Sequence, residues 1–126
     1  MAGRWLLLGA LGGFLTVALG AFGAHGLEDR LTAQAMGWWH KAVAYQGLHA
    51  LALLTCGLLG LHTRHAALSV AGWAFAAGIL LFSGSLYLLA LSGERWLGAV
   101  TPFGGTAFLV GWGALAVAAL RLPRRP

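Results

Sequence analysis

AVAYQGLHALALLTCGLLGLH, residues 42–62, decides the fold. It contains no Asp, Glu, Lys or Arg, and its 21 residues rise about 1.5 Å each, enough to cross a hydrocarbon core of roughly 30 Å as one helix. Its first half nevertheless holds Tyr45, Gln46 and His49. Hydrocarbon offers these side chains no hydrogen-bond partner, so they must face protein or trapped water. Polar groups kept inside a bilayer are a functional-site hypothesis by default.

Three further stretches share this character: Trp5 to His25, His65 to Gly93 and Trp96 to Leu120. The chain as a whole is 60% hydrophobic and 9% charged over 126 residues, a composition that belongs to membrane proteins. The short alternating segments of a transmembrane barrel are absent. These features predict an all-α fold, a four-helix transmembrane bundle in one integral membrane domain spanning residues 1–126. The expected spans are 5–25, 42–62, 66–91 and 98–121.

A net charge of +5 would suit a nucleic-acid binder, but the charges are placed otherwise. Arg4, Arg64, Arg121, Arg124 and Arg125 all fall on one side of a four-crossing chain, without an acid. Arg30, Lys41 and Arg95 share the other side with Glu28, Asp29 and Glu94, the only acids. The positive-inside rule therefore places both termini in the cytoplasm. Arg121, Arg124 and Arg125 are expected to anchor the tail at anionic head groups. The expected partners are membrane lipids and a homo-oligomer or larger membrane complex, with no nucleic acid.

Met1 to Ala24 has the layout of a signal peptide, with Arg4 ahead of an apolar run and small residues near its end. The run is longer than a usual signal core, so it is read as a retained first helix. In that helix Gly9, Gly12, Gly13, Thr16, Gly20 and Gly23 share one face at helical spacing. Such a face lets helices approach closely, Gly9 to Gly13 in the small-xxx-small pattern. Cys56, the single cysteine, reads as a packed small side chain.

The segment Gly26 to Lys41 carries Leu27, Leu31 and Ala35, then Trp38 and Trp39. This spacing predicts a short amphipathic outer segment between helices 1 and 2, ending in an aromatic anchor. His62, Arg64 and His65 mark a tight turn between the second and third segments. No carboxylate or thiol completes a ligand set there, so no metal is expected. In the last segment, Thr101-Pro102-Phe103-Gly104-Gly105 reads as a helix start: Thr caps free amides, and Pro tolerates the first helical position. Leu97 to Val100 would then be an outer turn anchored by Trp96.

Counting inward from Lys41, His49 lies about 12 Å deep, the same depth as Ser83 counted back from Leu91. Tyr87 shares a face with Ser83, and the Thr101 cap with Gly104 and Gly105 arrives at the same end. The candidate ligand-binding set is therefore Tyr45, Gln46, His49, Ser83, Tyr87, Thr101, Gly104 and Gly105. His25 joins it from the end of the first segment, where Gly26 lets the helix stop. Two readings stay open: an outward-facing polar pocket for a small ligand, lipid head group or ion, or a hydrogen-bonded network that only packs helices in a structural or accessory subunit. A haem or metal-binding redox protein with His25 and His49 as axial ligands is a distant third. No cofactor is expected and the protein is read as non-enzymatic. It has no Gly-rich phosphate loop with a Lys, no paired cysteines, and no Ser with a His and Asp partner.

The segments Gly20-Ala21-Phe22-Gly23-Ala24-His25, Tyr45-Gln46 with His49, Leu81-Phe82-Ser83-Gly84-Ser85-Leu86-Tyr87, and Thr101-Pro102-Phe103-Gly104-Gly105 together resemble the YgdD-like family of small bacterial inner-membrane proteins, a domain of unknown function (423). The chain is also similar to the animal transmembrane protein 256 group. The resemblance covers nearly the whole chain and implies a multi-pass protein of the bacterial inner (plasma) membrane. It brings no activity with it.

Overall fold

A computed structural model describes residues 2–123. Four helices, each long and apolar enough to cross a membrane, follow one another: α1 Ala2–Leu27, α2 Ala33–Leu59, α3 Ala66–Ser92 and α4 Leu97–Leu120. Two have a widened π-helical turn, Gly23–Leu27 at the end of α1 and Ile79–Ser83 inside α3. Consecutive helices run antiparallel. The connections α1–α2 and α3–α4 mark one end of the molecule, called here the distal end, and the α2–α3 turn marks the terminal end. Of the basic tail, Arg121 follows α4, while Arg124 and Arg125 lie outside the described residues.

The helices pack in chain order. α1 lies on α2, α2 on α3, and α3 on α4. Lipid tails are as apolar as leucine, so packing contacts rather than water exclusion must hold such helices together. The chain obtains those contacts by laying aromatic rings over glycines. Phe75 covers Gly111, Phe108 covers Gly78, Trp5 covers Gly72 and Trp39 covers Gly23. A methyl group on Gly111 would stand 2.6 Å from the Phe75 ring. Trp5, Leu53, Cys56, Phe75 and Phe108 form the buried centre of the main core.

The α1–α2 seam uses the small-residue face in a different register from the Gly9 to Gly13 pattern. Gly9 meets Leu54 and the Ala50 carbonyl, Gly12 meets the Ala50 methyl, and Gly47 of α2 receives Thr16, whereas Gly13 has nothing within 4 Å. Gly13 is one residue past the contact line, so the seam runs through Gly9, Gly12 and Thr16.

Two expected boundaries move. Thr32 caps α2, its Oγ1 accepting the Ala35 N–H at 3.1 Å, and the helix continues from Ala33 without a break. The expected outer segment is divided: Gly26 and Leu27 end α1, residues 28–32 form the connection, and the rest is the first turns of α2 rather than a separate surface helix, with Leu27, Ala35 and Trp39 buried together. Thr101 caps nothing. α4 starts at Leu97 and passes through Pro102, because a proline near a helix start loses a single backbone bond and its ring has little preceding helix to strike. Leu97 to Val100 is thus the first helical turn, and the free amides expected after Thr101 do not exist.

Candidate functional site: a ladder of intramembrane hydrogen bonds

The early start of α2 resets every depth. His49 lies 16 residues past Ala33, about 24 Å along the helix and past its midpoint rather than near its distal end. The polar side chains therefore do not converge at one level. They form three rungs along the bundle.

The rung nearest the distal end joins α3 to both neighbours. Ser83, fully buried at the widened turn of α3, donates its hydroxyl to the Ala42 carbonyl of α2 at 2.7 Å. Ser83 is therefore level with Ala42 and not with His49, seven residues or about 10 Å deeper. On the other side of α3, Ser85 and Thr101 share a hydroxyl–hydroxyl bond of 2.6 Å. Gly104 lets α4 come against the backbone of Phe82, and Gly105 rests near the Phe82 ring. Thr101, Gly104 and Gly105 thus form a helix contact.

Gln46 makes the middle rung. Its Nε2 donates to the Gly12 carbonyl of α1 at 3.0 Å, and its Oε1 accepts the Tyr87 hydroxyl of α3 at 2.6 Å. One buried amide thereby ties three helices. The Gly12 carbonyl also accepts the Thr16 hydroxyl at 2.7 Å. Nearer the distal end, Trp39 adds a second α2-to-α1 bond, its indole N–H donating to the Leu19 carbonyl at 2.9 Å.

His49 is the deepest rung. It is 2% exposed, and its ring lies flat on Phe108 of α4, centroids 3.5 Å apart and planes 8° from parallel. Trp112 donates its indole N–H to Nε2 at 3.0 Å, and Nδ1 lies 2.7 Å from the Tyr45 carbonyl. Indole only donates, so Nε2 must be the acceptor and the neutral ring carries its hydrogen on Nδ1, donating to that carbonyl. Both ring nitrogens are occupied.

The structure brings Gln46 and Tyr87 together, and pairs Ser83 and Thr101 with partners outside the expected set. It gives the Tyr45 and His25 side chains no hydrogen bond in the ladder. Tyr45 is 43% exposed, packs its ring against Phe82, and contributes to the ladder only its backbone carbonyl. His25 is exposed in the last turn of α1, near the distal end, while His49 lies past the midpoint of α2. An axial His25–His49 ligand pair is therefore not formed. Among the described residues, every buried side-chain nitrogen and oxygen has a protein partner.

Sequence reasoning passed over Trp112, Ser85 and the Gly12 carbonyl, and read Trp39 only as an aromatic anchor. Trp112 was detectable: an indole N–H well inside a span, far from the interface where tryptophan usually sits, needs a partner as His49 does. Ser85 lies between Ser83 and Tyr87 in sequence, but helical spacing turns it to the opposite face, where α4 supplies Thr101.

The family described as protein of unknown function (DUF423) matches residues 19–105. The chain is 49% identical over 117 residues to a UPF0382 membrane protein of Staphylococcus epidermidis, covering 93% of this chain and 95% of that one. It is 43% identical over 118 residues to the UPF0382 membrane protein YwdK of Bacillus subtilis, covering 93% and 96%. To the UPF0382 inner membrane protein YgdD of Escherichia coli it is 44% identical over 132 residues, covering 99% and 96%. No solved structure matches it. A family match across most of the chain, full-length relatives and four apolar helices agree: the chain belongs to the DUF423 family and is a multi-pass protein of the bacterial inner membrane.

Proposed function

We propose that this is a non-catalytic structural or accessory membrane protein whose intramembrane polar side chains fix the register of its helices. The observation that carries the reading is the completeness of the ladder, since no buried polar side-chain atom among the described residues is left for a ligand. A pocket for a small ligand, lipid head group or ion would need that ligand to displace Tyr87 from Gln46 or Trp112 from His49. The Gln46–Tyr87 bond is short, with Trp39 packed against the Tyr87 ring, and the imidazole that Trp112 engages lies under the Phe108 ring. Interhelical polar bonds of this kind contribute about 1 kcal/mol each, and spread over three levels they oppose both sliding and rotation of the helices.

On this reading membrane lipids are the immediate surroundings. An accessory role then implies docking into a homo-oligomer or larger membrane complex through lipid-facing side chains. The distribution of arginine supports cytoplasmic termini. Single cysteines at Ala2 and Glu94, in a Cys56→Ala background, test this in intact cells with an impermeant maleimide: the position at 94 labels and the position at 2 does not. The opposite pattern inverts the topology.

The test of the ladder is the double substitution Gln46→Leu and His49→Ala in reconstituted protein. The expected result is a lowered unfolding midpoint, together with no compound in a ligand screen that stabilises the wild type through these residues. A compound that raises the wild-type midpoint and loses its effect in the variant would overturn the reading in favour of a pocket.

A further inference from the structure

At the terminal end, a cavity of about 470 Å³ opens between the start of α1 and the α2–α3 turn, lined by Trp5, Gly60, Thr63, Arg64, His65 and Ser69 among others. It plays no part in the ladder. Its walls come from three places: the first turn of α1, the turn itself and the first turn of α3.

The chemistry of the lining is one-sided. Arg64 is exposed at the turn, and Arg4, next to Trp5, is held over the Trp5 and Trp73 rings at 5.7 and 5.2 Å. Aromatic faces rather than a carboxylate hold that guanidinium. All three acidic side chains, Glu28, Asp29 and Glu94, lie in the distal connections, a helix length of about 40 Å away. No Asp or Glu side chain of the chain can therefore reach Arg4 or Arg64.

The remaining polar groups point the same way. His65 caps α3 by accepting the Ala67 N–H on Nδ1 at 3.1 Å, which leaves the hydrogen of the neutral ring on Nε2 as a donor. Thr63 Oγ1 accepts the His65 N–H at 3.4 Å and keeps its own hydrogen to give. Ser69 adds a second hydroxyl. A guanidinium, an imidazole N–H and two hydroxyls around one space, with no Asp or Glu in reach, make a donor set for a tetrahedral oxyanion. The cavity also lies at the terminal end of the helices, between the start of α1 and the α2–α3 turn, the end at which lipid phosphates would meet a membrane-spanning bundle.

We propose that this cavity binds a phosphate-bearing anion, either the head group of an anionic phospholipid or a free phosphate or phosphate monoester. Arg64 supplies the charge, and His65, Thr63 and Ser69 supply neutral donors. The proposal does not rest on the ladder.

The test uses the full-length protein in a neutral, phosphate-free detergent. It is titrated with sodium phosphate, glycerol 3-phosphate or phosphatidylglycerol, with phosphatidylcholine for comparison. Tryptophan emission, to which Trp5 contributes from the cavity wall, and the unfolding midpoint are followed. A saturable response to at least one anionic probe is expected, weakened roughly tenfold by Arg64→Gln. Ser69→Leu, which fills the space without changing charge, should weaken it too. Arg95→Gln, the same charge loss at the distal end, should not. A response to phosphatidylglycerol alone identifies the lipid, and a response to the soluble probes identifies a free phosphate. No saturable response, an equal response to phosphatidylcholine, or an equal loss in Arg95→Gln overturns the proposal.

Discussion

Trp112 gives the only hydrogen-bonding proton of its side chain to His49, from α4 to α2. The backbones of these two helices pack mainly on α3, and the indole–imidazole bond joins them beside the stack of His49 on Phe108. Substitution of Trp112 by Phe keeps an aromatic ring and strands the Nε2 lone pair. We expect a loss of about 1 kcal/mol in detergent unfolding. In a double-mutant cycle with His49→Phe, the two losses should fail to add by a similar amount; additive losses would show that the bond contributes nothing.

Gln46 serves two neighbours and Tyr87 only one, which ranks their substitutions. Gln46→Leu removes the bond to the Gly12 carbonyl and leaves the Tyr87 hydroxyl unpaired, at a cost of about 1–2 kcal/mol. Tyr87→Phe leaves the amide's bond to Gly12 in place and should cost about half as much. Unfolding midpoints measured side by side check the order, and equal values would contradict it.

Two glycines only two residues apart on α4 should behave oppositely. Gly111 lies beneath the Phe75 ring, whereas Gly113 has nothing within 4 Å. Gly111→Ala must push the ring aside and is expected to cost more than about 2 kcal/mol. Gly113→Ala should leave stability unchanged or raise it by up to about 1 kcal/mol, because alanine is the better helix former. Thermal unfolding of both variants decides this.

His25 is expected to be expendable for folding. It is exposed and contributes to none of the interhelical bonds, so His25→Ala should change stability by no more than about 0.5 kcal/mol. A larger loss in the same unfolding assay would show a partner for His25 in the membrane.

How much of this was written in the residues can be judged from α2. Charge-free length identified the span, and the chemistry of Gln46 and Tyr87 identified them as groups needing partners. Face geometry correctly set Ser83 and Tyr87 against α2. Depth was misjudged because Lys41 looked like a boundary. Lys41 sits two turns inside a helix that Thr32 starts, its long stem able to carry the charge outward. The error propagated: counted from Lys41, His49 and Ser83 share a level, and counted from Ala33 they do not. Thr101 misled for a related reason. Thr-Pro is a good helix opening, but Leu97 had already opened the helix, and the hydroxyl was needed by Ser85. What the sequence could not supply was pairing between helices, since the partners of Gln46 lie 34 and 41 residues away.

The two faces of the Gln46 amide also set an order of construction. A nascent chain that has released α1 and α2 into the bilayer can already close the bond from Gln46 to Gly12 and mesh the Gly9, Gly12 and Gly47 seam. Such a hairpin is cohesive but unfinished, for Gln46 Oε1 and His49 Nε2 still lack their donors. The second hairpin answers them with the Tyr87 hydroxyl and the Trp112 indole. Synthesis from the amino end thus leaves two polar atoms waiting, and together they select how the later half of the protein must dock.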